Sequence, residues 1–184
     1  AFGLAASSKW STIWLVPIFI AVHFALRKKF KINYFWYLLI PPIIYLSTYI
    51  PMFLSGHSWE QFIEVQKQMW WYHTNLKAEH SYSSSWWSWP FLGRPIYLYT
   101  SDESGGMVAR IYAMGNPFVA WFGLFAIGLM AFQGLIKRNL RVIFIVFSYL
   151  TFFVPWALSP RIMFLYHYLP SIPFLAIAGS FILR

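Results

Sequence analysis

The sequence predicts an all-α membrane protein, a polytopic bundle of about five transmembrane helices. Hydrophobic residues make up 59% of its 184 residues and charged residues only 10%, whereas a soluble domain carries about 25% charged residues. The apolar residues are gathered into five blocks, at 3–26, 32–54, 117–136, 142–158 and 164–183. Each block is close to the roughly 20 residues that a helix needs to cross a bilayer.

Basic clusters between the apolar blocks predict the orientation of the chain. They consist of Arg27, Lys28, Lys29 and Lys31, and of Lys137, Arg138 and Arg141, while all five acidic residues lie between Glu60 and Glu103. Lysine and arginine concentrate in cytoplasmic loops, so residues 55–116 are expected on the opposite, extracytoplasmic side. This placement also explains the net charge of +9 without a nucleic-acid partner.

The blocks divide the chain into three parts. Residues 1–54 are expected to form two transmembrane helices, residues 55–116 an extracytoplasmic loop, and residues 117–184 three further transmembrane helices. The chain starts within an apolar block, without an initiator methionine, and ends at Arg184. These ends predict a piece of a longer protein, whose other part would be a partner of this one.

The outer loop is predicted to begin with a helix over 58–75. Ser58 followed by Gln61 fits a capping box, and Trp59, Phe62 and His73 share one face of the helix. Such a helix either packs in the membrane interface against lipids or lines a groove on the lipid side. Both interpretations stay open at this stage.

Four residues near the predicted outer face are candidates for binding a phosphate: Lys9, Arg94, Arg161 and His167. A guanidinium can bond two phosphate oxygens at once. A lysine inside or beside a span is costly to bury and is therefore a functional hypothesis. The alternatives are that Lys9 reaches back to the headgroups and that the arginines only anchor the chain at the interface.

A Ser- and Trp-rich stretch, 80–90, is too polar to span a membrane. This stretch supplies four candidates for shaping a donor or acceptor site: His80, Trp86, Trp87 and Trp89. Tyr166, beside His167, is a fifth. Tryptophan rings are common platforms for sugars, although at an interface they also form the ordinary aromatic belt. His57, His73 and His80 lie in the same loop, but their spacing does not support a metal site, so no metal and no cofactor are predicted.

Several motifs, in their order along the chain, resemble the protein O-mannosyltransferase family, the type that uses dolichyl- or polyprenyl-phosphate mannose. They are Ser8-Lys9-Trp10, Met69 to His73, His80 to Pro90, Arg94-Pro95-Ile96, Gly115-Asn116-Pro117, Pro160-Arg161 and Phe164 to Pro170, followed by Pro173-Phe174. The resemblance covers nearly the whole chain and implies the C-terminal half of a GT-C type fold. The short outer loop is similar to bacterial members, which implies a multi-pass protein of the plasma membrane.

The resemblance also implies a function. Members of the family transfer mannose from polyprenyl-phosphate mannose to Ser or Thr of exported polypeptides, without an obligatory metal. Their catalytic Asp lies in the first external loop, which would precede Ala1, so none of the catalytic residues is assigned here. Two alternatives remain: a related transferase for another lipid-linked sugar, such as aminoarabinose, and a non-catalytic transporter or scaffold.

Overall fold

The computed structural model describes residues 1–26, 35–102 and 105–184, and most of these residues are helical. The α-helices are α1 (Phe2–Ser8), α2 (Leu15–Ala25), α3 (Phe35–Ser47), α4 (Ile50–Leu54), α5 (Trp59–Asn75), α6 (Pro117–Lys137), α7 (Leu140–Phe153) and α8 (Ile172–Ile182). Short 3₁₀ helices cover Trp10–Trp14, Trp86–Phe91, Val154–Leu158 and Leu165–Ser171. The predicted fold class, a polytopic helical membrane protein, is confirmed.

The described residues form two compact units, Ala1–His73 and Thr74–Arg184. The second unit contains three helical segments that are long and apolar enough to cross a membrane: Pro117–Lys137, Leu140–Leu158 and Leu165–Ile182. They agree with the last three predicted spans to within about two residues. The predicted three-part division of the chain, at 54 and 116, stays a prediction.

The first predicted span, 3–26, is interrupted at Lys9. This residue is extended, with φ −159° and ψ 124°, and it separates α1 from the 3₁₀ helix that leads into α2. The hydroxyls of Ser7 and Ser8 donate to the carbonyl oxygens of Gly3 and Leu4. Serine side chains that bond to the backbone in this way weaken regular helix, and a lysine favours the water-facing edge of an apolar segment.

The second predicted span, 32–54, is also divided where the structure describes it. Helix α3 ends at Ser47, and α4 resumes at Ile50 after a turn. The start of this span and the basic cluster at 27–31 lie outside the described residues. Helix α1 packs on α3 at Gly3, where a Cβ would lie 2.7 Å from the carbonyl oxygen of Pro41, so glycine is required for this approach.

In the second unit, α6 packs against α8 through small residues. A Cβ added to Gly123 would lie 2.6 Å from the Cβ of Leu175, and one added to Gly179 would lie 3.2 Å from the ring of Phe122. Small residues let helices approach closely in a membrane, where packing rather than the hydrophobic effect drives association. Helix α7 joins this core through Tyr149, whose hydroxyl lies 2.9 Å from that of Tyr168.

Asparagine caps start both α6 and α7. The side-chain oxygen of Asn116 accepts from the amides of Phe118 and Val119, and Asn139 caps α7 in the same way. Proline at the first position of α6 needs no hydrogen-bond partner for its nitrogen. The predicted opening of a span at Gly115-Asn116-Pro117 is therefore confirmed.

The segment between the Trp-rich stretch and α6 contains a feature that the sequence analysis did not predict. Strands β1 (Ile96–Thr100) and β2 (Arg110–Ala113) pair antiparallel, with an irregularity in the register between Tyr97 and Tyr99. Both strands lie within the outer loop predicted over 55–116, of which 103 and 104 lie outside the described residues. The alternation of apolar and polar residues that marks a strand is weak here, because most of these side chains are exposed on both faces.

Helix α5 has the predicted capping box. The amide of Ser58 donates to Oε1 of Gln61 over 2.8 Å, and the amide of Gln61 donates to the Ser58 hydroxyl over 3.3 Å. A hydrogen bond from Ser58, together with the backbone amide, lowers the pKa of the exposed Glu60 carboxyl in the first turn. The buried Phe62 packs edge-on against Tyr49, with ring centroids 4.9 Å apart.

Candidate functional site

The turn between the last two long helical segments holds a closely connected polar group. Arg161 lies in this turn, and its terminal nitrogen Nη2 is 3.0 Å from Nε2 of His167. His167 lies in the 3₁₀ helix Leu165–Ser171 and is only 2% exposed. Its other ring nitrogen, Nδ1, lies 2.9 Å from the carbonyl oxygen of Phe164.

The hydrogen bonds determine the protonation of this imidazole. Arginine has only donors, so Nε2 must offer a lone pair to the guanidinium. Nδ1 then carries the proton and donates to the Phe164 carbonyl oxygen. The amide of Phe164 also lies 3.2 Å from Nδ1. If that amide donated to Nδ1, the ring proton would be on Nε2, and an N–H would then face the guanidinium.

Aromatic rings enclose the imidazole. Trp89 is fully buried and nearly parallel to it, with centroids 6.0 Å apart and an angle of 13°. Trp156 meets it edge-on at 4.4 Å, and Tyr166 lies 4.3 Å away at 25°. Rings on several sides restrict rotation of the imidazole and exclude water from it.

The Trp-rich loop is tied to this turn by hydrogen bonds. The indole N–H of Trp89 donates to the Ser84 hydroxyl over 2.9 Å, and the amide of Ser84 donates to the Met163 carbonyl oxygen over 2.9 Å. His80 lies edge-on to Phe164 at 5.3 Å. These contacts explain how a polar loop covers a buried histidine at the end of an apolar bundle.

Arg94 supports the same loop from another direction. Its Nη1 donates to the carbonyl oxygens of Ser81, over 3.1 Å, and Ser83, over 3.2 Å. Tyr82, between these serines, stacks on Tyr97 of β1 with centroids 5.1 Å apart. Arg94 itself is exposed.

The structure brings together five of the nine predicted site residues: His80, Trp89, Arg161, Tyr166 and His167. Arg94 is connected to them through the loop that it binds. Trp86 turns toward Phe153 instead, 5.1 Å away, and Trp87 is 62% exposed. Lys9 is exposed and belongs to the other compact unit.

The predicted contact of His167 with a phosphate stays a prediction, although both of its ring nitrogens already bond within the chain. Ser84, Trp156 and Phe164 were not predicted as site residues. The serine run 83–85 ahead of two tryptophans was the available signal for Ser84, because buried indole N–H groups require an acceptor.

Two open recesses lie elsewhere. One, of about 450 Å³, is lined by Phe91, Trp121, Leu124 and Phe125, and the other, of about 460 Å³, lies along α5 between Trp59 and Lys67. Within 1–26, 35–102 and 105–184, no group of three or more histidine or acidic side chains could hold a metal ion.

The fold and the site together define a polytopic helical membrane protein. At one end of its spans, an arginine is hydrogen-bonded to a buried histidine that aromatic rings enclose. A family model, the C-terminal four TMM region of protein-O-mannosyltransferase, matches residues 58–142. The matched residues make up somewhat less than half of the chain, and the match agrees with the resemblance that the motifs indicated.

Curated relatives extend the match over nearly the whole chain. It is 23% identical, over 232 aligned positions, to the polyprenol-phosphate-mannose–protein mannosyltransferase of Mycolicibacterium smegmatis, covering 98% of this chain and 45% of that protein. It is 32% identical over 129 positions to dolichyl-phosphate-mannose–protein mannosyltransferase 1 of Saccharomyces cerevisiae, covering 60% of this chain and 15% of that protein. The chain thus spans less than half of the length of these relatives.

A solved structure shares the fold. The S. cerevisiae protein O-mannosyltransferase Pmt1-Pmt2 complex bound to the sugar donor matches with a TM-score of 0.53 and 29% identity. The match covers 67% of this chain and 19% of that one.

Proposed function

We propose that this chain forms part of an integral membrane mannosyltransferase that moves mannose from a polyprenyl-phosphate carrier to Ser or Thr of exported polypeptides. The observation that carries the proposal is Arg161, whose guanidinium is held by a buried imidazole at one end of three apolar helical segments. The names of the relatives, which include the carrier and the sugar, support this choice of donor. The proposed setting is the plasma membrane, with residues 55–116 and the Arg161 turn outside.

The proposed reaction forms a bond between the acceptor hydroxyl oxygen and the anomeric carbon of mannose. The bond from that carbon to the phosphate oxygen breaks, the electron pair stays on the phosphate, and a base takes up the hydroxyl proton. Positive charge around the departing phosphate lowers the barrier. In this chain we assign that task to Arg161, with Arg94 and Lys9 as further candidates.

The aromatic residues of the loop are proposed to shape the donor or acceptor site. Trp87 is the best placed to contact a ligand, because its ring is largely exposed. Trp89 is fully buried and therefore contributes by holding the loop on the turn rather than by touching a sugar.

The test uses the intact protein in proteoliposomes, with polyprenyl-phosphate mannose and a Ser/Thr-containing acceptor peptide. Arg161→Ala is expected to reduce transfer by about ten- to a hundredfold, because a charge-assisted contact to the phosphate is lost. Arg161→Lys should recover only part of it, since an ammonium cannot form the bidentate contact. The matched control is Arg110→Ala, which removes an exposed arginine of β2.

Two results would contradict the proposal. The first is unchanged transfer and donor affinity in Arg161→Ala. The second is intact protein that transfers no mannose but uses another lipid-linked sugar, such as aminoarabinose, or moves a solute across the vesicle membrane without any glycosyl donor.

A further inference from the structure

We propose that the turn between α6 and α7 binds the headgroup of an anionic phospholipid through Lys137, Arg138 and Arg141. The segment that follows this turn, Leu140–Leu158, is 19 residues long, or about 28 Å at 1.5 Å per residue. It separates the turn from the one that contains Arg161. The lipid site is therefore distinct from the proposed donor site, and the inference goes beyond mannosyl transfer.

The first step is that the three cations have no partner within the chain. Lys137, Arg138 and Arg141 are exposed, and their side chains make no hydrogen bond or ion pair in the part of the chain that the structure describes. The sequence has no acidic residue after Glu103, so α6 separates the turn from the nearest carboxylates along the chain. Three like charges within five residues repel one another, and an anion placed among them relieves this repulsion.

The second step is that the turn does not need these side chains to cap its helices. The amides of Arg138 and Asn139 both donate to the carbonyl oxygen of Gly134. On the other side of the turn, Oδ1 of Asn139 accepts from the amides of Arg141 and Val142. The amides on both sides thus have acceptors already, and the three charged side chains stay available for an external ligand.

The third step is the backbone of Arg138. This residue is left-handed, with φ 49° and ψ 37°, a conformation that favours glycine and strains other residues. The arginine side chain makes no bond within the described residues that would offset the strain. Strained residues persist where the surroundings or a function hold them, and an anion bound by the guanidinium supplies such a function.

The fourth step identifies the anion as part of a lipid. Leu135, Ile136 and Leu140 flank the cations, and all three side chains are largely exposed. A free anion would leave these apolar side chains uncovered. An anionic phospholipid covers them with its acyl chains while its headgroup meets the cations, as basic clusters at the ends of transmembrane helices do with such lipids.

The experiment measures thermal unfolding of the intact protein in uncharged detergent. Phosphatidylglycerol, phosphatidylcholine or inorganic phosphate is added in separate titrations. Phosphatidylglycerol should raise the melting temperature of the wild type by about 2 °C more than phosphatidylcholine does, whereas inorganic phosphate should not raise it. The difference between the two lipids should shrink as salt is added, because ions screen exposed charges.

Arg138→Gly separates lipid binding from stability, because its two effects have opposite signs. Glycine removes the strain, so the melting temperature in phosphatidylcholine should not fall. The concentration of phosphatidylglycerol that gives half of its effect should rise about fivefold, since one basic contact is lost. Arg141→Gln should raise it by a similar factor, whereas the matched control Arg110→Gln, in β2, should leave it unchanged.

Three results would overturn the inference. The first is an equal effect of the two lipids on the wild type, or no effect of either. The second is the same stabilisation by inorganic phosphate, which would indicate a site for free anions. The third is an unchanged phosphatidylglycerol titration in Arg138→Gly or in Arg141→Gln. Because no titration involves mannosyl transfer, each of these results leaves the proposed function to its own test.

Discussion

Each compact unit contains a polar cluster among aromatic rings, and the two clusters differ in charge. In the first unit the Tyr45 hydroxyl accepts from the Trp10 indole over 3.1 Å and donates to Oε1 of Gln66 over 2.6 Å, while Tyr49 lies 3.2 Å away. In the second unit the corresponding contacts converge on Arg161 and His167. The neutral cluster connects α5 to α3, whereas the cluster of Arg161 and His167 contains a cation. Enclosure by aromatic rings alone therefore does not distinguish a structural cluster from a binding site.

The largest expected effect comes from removing the ring of Trp89, which lies against His167 in the cluster of Arg161 and His167. Trp89→Ala should lower the free energy of unfolding by about 3–5 kcal/mol, as for other large buried rings. Trp89→Phe keeps most of the packing and loses mainly the bond to Ser84, so about 1 kcal/mol is expected. Unfolding by denaturant in detergent measures both, and similar losses in the two variants would show that the ring itself matters little.

The crossing of α6 and α8 should be the next most sensitive to substitution. Gly123→Ala puts a Cβ 2.6 Å from that of Leu175, and overpacking of this kind costs about 1–3 kcal/mol. Gly128→Ala on the same helix meets nothing within 4 Å and should be neutral or slightly stabilising. Thermal unfolding of the pair tests this prediction, and equal melting temperatures would contradict it.

A substitution in the neutral cluster of Tyr45, Trp10 and Gln66 should lower stability without changing donor binding. Tyr45→Phe removes the hydroxyl that connects Trp10 and Gln66, and leaving such groups without partners costs about 1–3 kcal/mol. Donor affinity is expected to stay at the wild-type value, in contrast to that of Arg161→Ala. A raised donor KM in Tyr45→Phe would remove the functional distinction between the clusters.

The smallest effect is expected at the start of α5. Ser58→Ala removes the helix cap and should cost about 1 kcal/mol. Because the pKa of Glu60 is lowered in the folded protein, its contribution is present at neutral pH and is lost as the pH falls through that lowered pKa. The effect of Ser58→Ala, measured by hydrogen exchange of α5 amides, should therefore shrink in acid, and an effect that grows in acid would contradict this origin.

The helical features that depend on local periodicity and on capping residues could be predicted from the sequence. The three long segments, the Asn116 start and the Ser58–Gln61 box follow from hydropathy and capping, which involve neighbours within about four residues. The interruption at Lys9 was not predicted, because a window average does not register one extended residue. The β1–β2 hairpin was missed because its pattern lacks a buried face.

The candidate site could be predicted as a set of residues but not as an arrangement. Arg161, His167 and the tryptophans were chosen for their chemistry, and their mutual contacts depend on how the Trp-rich loop folds over the turn. The bond between Arg161 and Nε2 of His167 could not be predicted, because it depends on the three-dimensional positions of the two side chains.

The connection between α6 and α7 has a consequence for how the protein enters the bilayer. It consists of Arg138, which adopts a left-handed conformation at φ 49°, and Asn139. Because this link is so short, α6 and α7 cannot take up independent orientations in the membrane and must insert as one hairpin. Reversing the charges of Lys137, Arg138 and Arg141 should therefore turn both helices over together, carrying the start of α6 and the end of α7 to the other face.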